Sequence, residues 1–177
     1  MAEIYRTLLN CYYDFVMREI ITNNFQETQK FGQELTREFL VEKGPRKQAI
    51  TITLEGDLGA GKTTFIQGLA KGLGIKEQIT SPTYVLVKKY KIPASDSLPV
   101  FRYFYHLDCY RIEKSWQISE LGFEEIINNP QNIVAIEWPE RIAEILPEDK
   151  IVIKSEGIDE DKRKIIIKNN QDSRLDV

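Results

Sequence analysis

Apolar runs of strand length alternate with helical periodicity through most of the 177-residue chain. Residues 49–54 are rich in β-branched side chains and predict a buried strand, and residues 64–73 directly afterwards carry apolar side chains at helical spacing. Residues 133–136 are continuously apolar, which is typical of a central strand covered on both faces. This alternation predicts an α/β fold of three layers, with a mixed central sheet and helices on both of its faces.

The remaining elements are predicted from weaker patterns. Residues 20–22 predict an edge strand, and Asn24 with Glu27 three positions later predicts the capped start of a helix that continues to Leu40. We expect strands at residues 83–92 and 100–112 and a short helix at residues 118–128. Residues 151–153 and 165–167 are expected to form a terminal antiparallel hairpin.

The length of the chain suffices for one domain with its own core. We expect a single domain at residues 22–170, preceded by an extension at residues 1–21 that ends in the edge strand, and followed by a tail at residues 171–177. Residues 1–16 carry apolar side chains at roughly helical intervals. They form either an amphipathic docking helix or a poorly packed extension.

Charge and cysteine content narrow the functional classes. The net charge of −3 provides no overall positive field, so we expect any contact with RNA to be local or made through another protein. Cys11 and Cys109 show neither disulfide nor metal-site spacing, which is typical of a reducing compartment. No apolar run has membrane-spanning length, and charged residues interrupt the N-terminal region where a signal peptide would be apolar. We therefore predict a cytoplasmic protein without membrane association.

The motif with the clearest chemistry is GDLGAGKT at residues 56–63, a full match to G-x-x-x-x-G-K-[ST]. It follows a predicted strand and opens a predicted helix, which is the context that the motif needs, and it makes the predicted fold that of a P-loop NTPase. Loop amides would bind phosphate, Lys62 would reach the β and γ phosphates, and the Thr63 hydroxyl would ligate Mg²⁺. The candidate phosphate-binding residues are Asp57, Leu58, Gly59, Ala60, Gly61, Lys62, Thr63 and Thr64. The guanine-reading pattern Asn-Lys-x-Asp is absent from the sequence, so ATP is favoured over GTP.

A nucleotide-hydrolysing site also needs a carboxylate near the metal, and Glu137 is the best candidate. It is the first polar residue after the apolar run 133–136, at the carboxyl end of a predicted central strand, where open α/β sheets place their ligands. A glutamate at this position could hold Mg²⁺ through water or polarise a water molecule itself.

Three further residues carry less specific signals. Asp108 could orient water, ligate the metal, or be a structural acid paired with Arg111. Thr83 lies in the turn-forming stretch 80–84 and is either a switch residue directed at the γ-phosphate or part of an ordinary turn. His106 is the single histidine, and a lone strand histidine is more typical of a packed, hydrogen-bonded residue than of a catalytic base.

Taken together, these segments resemble the TsaE family, the bacterial ATPases of tRNA threonylcarbamoyladenosine biosynthesis. The resemblance covers roughly residues 22 to 168 in the family's order, and the combination of SPTY at residues 81–84 with EWP at residues 137–139 is its most specific part. The other matching stretches are residues 27–32, 56–64, 106–111, 120–123 and 146–147.

The resemblance implies roles for individual residues. Thr63 and Glu137 would correspond to the family's Mg²⁺ ligands, with Asp108 as its essential acid and a further candidate for the metal site. Thr83 would be its switch threonine. Lys62, Asp108, Glu137 and Thr83 are thus the candidate catalytic residues. Trp138 would match an important aromatic residue at the nucleotide or partner face, and Thr28 is a candidate for contact with the nucleotide base.

The resemblance also implies a function. ATP and Mg²⁺ would be the cofactors of an accessory ATPase required for threonylcarbamoylation of adenosine 37 in tRNAs that read codons beginning with A. Its partners would be the threonylcarbamoyl transferase subunit and that subunit's paralogous dimer partner, with tRNA contacted only indirectly. Hydrolysis would be slow in isolation and stimulated by these partners. Two alternatives share the same loop: a small-molecule P-loop kinase, and a nucleotide-dependent binding switch without turnover.

Overall fold

Seven strands form one mixed sheet in the part of the chain that the computed structural model describes, residues 17–39, 47–94 and 101–169. In chain order they are β1 (Met17–Thr22), β2 (Ile50–Glu55), β3 (Val87–Lys91), β4 (Tyr103–Asp108), β5 (Asn132–Glu137), β6 (Ile151–Gly157) and β7 (Arg163–Asn169). Their order across the sheet is β1-β7-β6-β2-β5-β4-β3.

The centre of the sheet is parallel and its margins are antiparallel. Strands β6, β2, β5 and β4 run in the same direction, whereas β1, β7 and β3 pair antiparallel with their neighbours. The carboxyl ends of the four parallel strands therefore lie along one edge of the sheet, where doubly wound folds bind ligands.

Helices cover both faces of the sheet. Helices α1 (Phe25–Phe39) and α2 (Lys62–Gly72) lie on one face, and α3 (Trp116–Ser119), α4 (Phe123–Ile127) and a 3₁₀ segment (Pro139–Ile145) lie on the other. The first core packs residues such as Leu35 and Phe65 against the sheet, and the second contains Ile118 and Phe123. The α/β fold with helices on both faces, predicted from the sequence, is confirmed.

The alternation of side chains along β4 and β5 determines the face on which the candidate acids lie. Ile133 and Ala135 of β5 belong to the core beneath α1 and α2, whereas Val134 and Ile136 belong to the other core. Glu137 points to the same face as Ala135, two residues earlier, because successive strand residues point to opposite faces. Its side chain is therefore on the side of α2, the helix that opens after the GDLGAGKT loop.

Several local predictions are confirmed. The edge strand near residue 20 is β1, which pairs with β7, and the terminal hairpin is formed by β6 and β7. The amide of Glu27 donates to Asn24 Oδ1 at 2.9 Å, which is the predicted cap of α1. The predictions for residues 1–16, Leu40 and residues 171–177 lie outside the described residues, and the domain boundaries stay predictions.

The strand predicted at residues 83–92 was too long, because β3 begins only at Val87. The carbonyl of Pro82 accepts hydrogen bonds from the amides of Val85 and Leu86, which closes a turn, and Leu86 has a left-handed φ of 63°. The amides of Val85 and Leu86 are therefore used within the turn, and the first bond to β4 is made by the carbonyl of Leu86, which accepts the amide of Asp108 at 3.0 Å.

The prediction for residues 100–112 was also too long, since β4 ends at Asp108. Beyond it, Asp108 Oδ1 accepts the amide of Tyr110 at 3.0 Å and the carbonyl of Cys109 accepts the amide of Ile112 at 2.9 Å. These bonds turn the chain away from the sheet immediately after the candidate acid.

The single helix predicted at residues 118–128 is wrong, since α3 and α4 are two separate short helices. Gly122 lies between them with a left-handed φ of 79°, a conformation that a helix cannot contain. Among the described helices, none combines the length and apolar character needed to span a membrane.

Candidate functional site

The GDLGAGKT loop connects the carboxyl end of β2 to the first turn of α2. Gly56 has a φ of 135°, and a Cβ there would lie 2.1 Å from the backbone oxygen of Ser155, so β6 approaches too closely for any side chain. Ser155 Oγ also donates to the carbonyl of Ala60 at 2.5 Å. Strand β6 thus packs directly against the loop, and the amino end of α2 lies at the carboxyl edge of the sheet.

Backbone carbonyls of the loop itself fix the side chain of Lys62. Its ammonium donates to the carbonyls of Gly56 and Asp57 at 2.7 and 2.8 Å and lies 4.1 Å from the centre of the Trp138 ring. Burial lowers the pKa of Lys62, while the nearby carboxylates of Glu137 and Asp108 act in the opposite direction. The site therefore places a buried cation among backbone oxygens and carboxylates.

Glu137 lies directly opposite the first turn of α2. Its Oε1 accepts the hydroxyl of Thr63 at 2.7 Å, and the same oxygen lies 2.9 Å from Nε2 of His106. Glu137 and His106 are both buried. Two of the three residues predicted for the metal site, Thr63 and Glu137, are therefore in direct contact, although they are 74 positions apart in the chain.

Asp108 is the register partner of Glu137 on the neighbouring strand β4. Its Oδ2 accepts the hydroxyls of Ser81 at 2.6 Å and Thr83 at 2.5 Å. Arg111, the alternative partner considered for this acid, instead places its guanidinium 4.4 Å from the ring centre of Tyr84. The turn at residues 80–84 is therefore tied to Asp108 by its hydroxyl groups.

Trp138 follows Glu137 with a left-handed φ of 59°. This conformation lets the chain leave β5 sharply and places the indole over Lys62 and 5.0 Å from the ring centre of Tyr110. A non-glycine residue in this conformation is uncommon and is often found at functional sites.

These residues surround a cavity of about 450 Å³ at the carboxyl edge of the sheet. The predicted residues that line it are Thr28, Leu58, Gly59, Gly61, Lys62, Thr63, Thr64, Thr83, Asp108, Glu137 and Trp138. Asp57 and Ala60 belong to the loop but are not on the cavity wall. Thr28 is almost fully buried, and its hydroxyl is bonded to that of Thr22 at 2.7 Å, which links the start of α1 to β1.

The cavity has a second wall that the sequence did not indicate. Phe25 at the start of α1 faces it, as does the turn between β6 and β7 with Glu160, Asp161 and Arg163. The guanidinium of Arg163 is anchored by the carbonyls of Asp159, Glu160 and Lys162 at 2.9 to 3.1 Å. No motif marks these residues, because strand pairing and not sequence proximity brings them to the site.

The side chains fit a magnesium ion that is shared with a phosphate ligand. Within the described ranges, no group of three or more His, Cys, Asp or Glu side chains could hold a metal ion by itself. Mg²⁺ in nucleotide sites is usually bound by one or two protein oxygens, with phosphates and water completing the octahedron. The adjacent oxygens of Thr63 and Glu137 match that requirement.

Comparisons with known proteins agree with this architecture. A family model described as "Threonylcarbamoyl adenosine biosynthesis protein TsaE" matches residues 22–165. The crystal structure of Bacillus subtilis YdiB is similar with a TM-score of 0.64 and 31% sequence identity, covering 85% of this chain and 84% of that one.

Curated relatives carry the same family name. The "tRNA threonylcarbamoyladenosine biosynthesis protein TsaE" of Bacillus subtilis is 43% identical over 116 residues, which is 64% of this chain and 67% of that protein. Its namesake from Rickettsia felis is 37% identical over 158 residues, which is 88% of this chain and 83% of that protein. The chain therefore belongs to the TsaE family.

Proposed function

We propose that this protein is a Mg²⁺-dependent ATPase that serves as an accessory protein in the threonylcarbamoylation of adenosine 37 of tRNA. Membership of the TsaE family supports the pathway. The observation that carries the catalytic part is the 2.7 Å hydrogen bond between Thr63 and Glu137, which joins the GDLGAGKT loop to the acid at the end of β5. P-loop NTPases hold their phosphates and metal with this combination of a phosphate loop, a hydroxyl and a carboxylate.

In this proposal each part of the site has a defined role. The amides at the amino end of α2 and the ammonium of Lys62 bind the phosphates and neutralise charge that develops during transfer. Thr63 Oγ1 and the Glu137 carboxylate hold Mg²⁺, which when bound neutralises charge on the phosphate oxygens. Asp108, with the hydroxyls of Ser81 and Thr83, positions the attacking water from the strand beside Glu137.

The partners and setting follow from the same proposal. The protein acts with the threonylcarbamoyl transferase subunit and its paralogous dimer partner, and reaches tRNA through them, in the cytoplasm. The net charge of −3 agrees with an indirect contact to tRNA, because direct binding to the phosphate backbone requires clustered positive charge. ATP hydrolysis supports repeated turnover of that complex.

The test is a steady-state ATPase assay of the protein alone and with the two partner proteins. We expect slow hydrolysis alone and faster hydrolysis in the complex. We expect K62A to lower kcat by roughly 10²- to 10³-fold, the usual loss for one group that stabilises transition-state charge. K30A is the matched control, because Lys30 is an exposed lysine of α1 and should leave the rate unchanged.

Equal rates with and without the partners, once their binding has been verified, would contradict the proposal. E137Q separates hydrolysis from scaffolding. If tRNA modification persists fully when E137Q no longer hydrolyses ATP, the protein is a nucleotide-dependent switch and not an ATPase that supports turnover.

A further inference from the structure

A buried contact beside the site has no role in the steps above: the imidazole of His106 lies against the carboxylate of Glu137. Nε2 of His106 is 2.9 Å from Oε1 of Glu137. The His106 side chain is fully buried, and that of Glu137 is 5% exposed. In such surroundings a hydrogen bond to a carboxylate is strong, and an unpaired polar atom is costly.

The sheet register explains how the two side chains meet. His106 and Asp108 are two residues apart on β4, so they point to the same face of the sheet. Asp108 is opposite Glu137, and His106 is opposite Ala135 on β5. His106 therefore lies two residues further from the carboxyl edge of the sheet than Asp108. Its ring extends across to the carboxylate of Glu137 on the neighbouring strand β5.

The surroundings of the ring determine which nitrogen carries the proton. Nδ1 of His106 is buried and has no hydrogen-bond partner among the described residues. A proton on Nδ1 would be an unsatisfied buried donor, and the lone pair of Nε2 would then face a carboxylate oxygen. With the proton on Nε2, the ring donates to Glu137 and only the Nδ1 lone pair stays unpaired, so no lone pair of the ring faces the carboxylate.

We propose that His106 is a positioning residue that fixes the carboxylate of Glu137 for binding of the Mg²⁺–nucleotide complex, an inference that rests on the proposed function. In the described part of the chain, both side-chain hydrogen bonds of Glu137 fall on Oε1, one from His106 and one from Thr63. The other oxygen, Oε2, keeps its acceptor capacity. Residues that orient a metal-binding carboxylate in this way typically change metal affinity when they are replaced.

The experiment is a Mg²⁺ titration of the binding of a fluorescent ATP analogue. H106L removes the donor, whereas H106Q keeps an N–H group at similar reach. F104L is the matched control, because Phe104 is a fully buried residue of β4 on the same face and belongs to the hydrophobic core. We expect H106L to need about tenfold more Mg²⁺ for half-maximal binding, H106Q to recover most of that loss, and F104L to behave like the wild type.

Binding of the analogue in excess EDTA provides the second readout. We expect H106L and the wild type to have the same affinity there, since His106 acts only through Glu137. An unchanged Mg²⁺ requirement in H106L, or an equal rise in F104L, would overturn the inference. A wild type that binds the analogue equally with and without Mg²⁺ would overturn the proposed function, and this inference with it.

A spectroscopic test does not depend on nucleotide binding. His106 is the only histidine of the chain, so ¹⁵N-histidine labelling of the untagged protein gives the two ring-nitrogen signals of a single imidazole. We expect a protonated Nε2, an unprotonated Nδ1, and a shift of the Nε2 resonance in E137Q but not in F104L. A proton on Nδ1 would overturn the inference even if H106L failed to fold.

Discussion

At the scale of the single residue, Cys109 shows how burial beside the site controls chemical reactivity. It follows Asp108, its side chain is fully buried, and its amide donates to the carbonyl of Glu137 at 3.0 Å. Burial, and to a lesser degree the charges of Asp108 and Glu140, raises the pKa of the Cys109 thiol to about 12. A raised thiol pKa means that the neutral form persists to higher pH, and only the thiolate is nucleophilic.

We therefore expect Cys109 to resist alkylation in the native protein. In a C11S variant it is the only thiol, and its rate of reaction with iodoacetamide at pH 8 can be followed by mass spectrometry. The rise in pKa from 9.0 to about 12 lowers the thiolate fraction roughly 1000-fold. Labelling should become rapid in concentrated urea, and equal rates in the folded and unfolded protein would contradict this account.

At the scale of the element, the contact between α1 and α2 is a close backbone approach. A Cβ at Gly68 of α2 would lie 2.2 Å from the carbonyl oxygen of Gln29 on α1, and a Cβ at Gly32 would lie 2.6 Å from the carbonyl oxygen of Phe65. Atoms cannot approach this closely without displacing one of the helices. The position of α2, and with it the amino end that faces the cavity, depends on these glycines.

The variant G68A tests this packing. In an exposed helix interior, replacing glycine with alanine stabilises by about 1 kcal/mol, but overpacking a close contact costs about 1–3 kcal/mol. We expect G68A to lower the free energy of unfolding, measured by urea denaturation. K30A on the exposed surface of α1 serves as control and should change it by less than about 0.5 kcal/mol. A more stable G68A would show that the helices are not held by this contact.

The elements that the sequence predicted well are those whose signal is local. Strand β2, the loop after it and helix α2 form one continuous stretch, and the apolar run of β5 directly indicates a central strand. The start of β3 was missed because the turn that closes on Pro82 uses its own peptide groups. The helix predicted at 118–128 is interrupted at Gly122, because the left-handed conformation of a single glycine leaves no mark in the apolar periodicity.

The contacts of the candidate site were also predictable from the sequence only in part. The contact of Thr63 with Glu137 follows from a motif and the end of a buried strand, which the sequence shows. The support of the loop by Ser155 and the contact of His106 with Glu137 depend on which strands are neighbours in the sheet. Strand order is set by tertiary packing, so the sequence indicated His106 only as a packed, hydrogen-bonded histidine without its partner, and it carried no signal for Ser155.

At the scale of the whole molecule, the parallel centre of the sheet brings residues from distant parts of the chain to one cavity. The loop follows β2, Asp108 ends β4, and Glu137 ends β5. The turn after β6 closes the far side. A ligand in this cavity contacts several elements at once, so its binding energy adds to the stability of the folded state.

We expect a non-hydrolysable ATP analogue with Mg²⁺ to stabilise the protein against unfolding. At a ligand concentration 100 times its Kd, the free energy of unfolding should rise by about 2.7 kcal/mol, which differential scanning calorimetry detects as a higher Tm. K62A should show a smaller rise and K30A the wild-type rise. A wild-type Tm that does not respond to the analogue would contradict nucleotide binding at this cavity.

The pairing of β1 with β7 has a practical consequence for work on this protein. Met17 is the register partner of Lys168, whereas Thr22 and Arg163 pair at the opposite end of the same two strands, beside the cavity. Positions 17 and 168 thus lie together at the edge of the sheet that faces away from the cavity. A biotin or surface tether attached at either place would leave the mouth of the cavity accessible to soluble macromolecules.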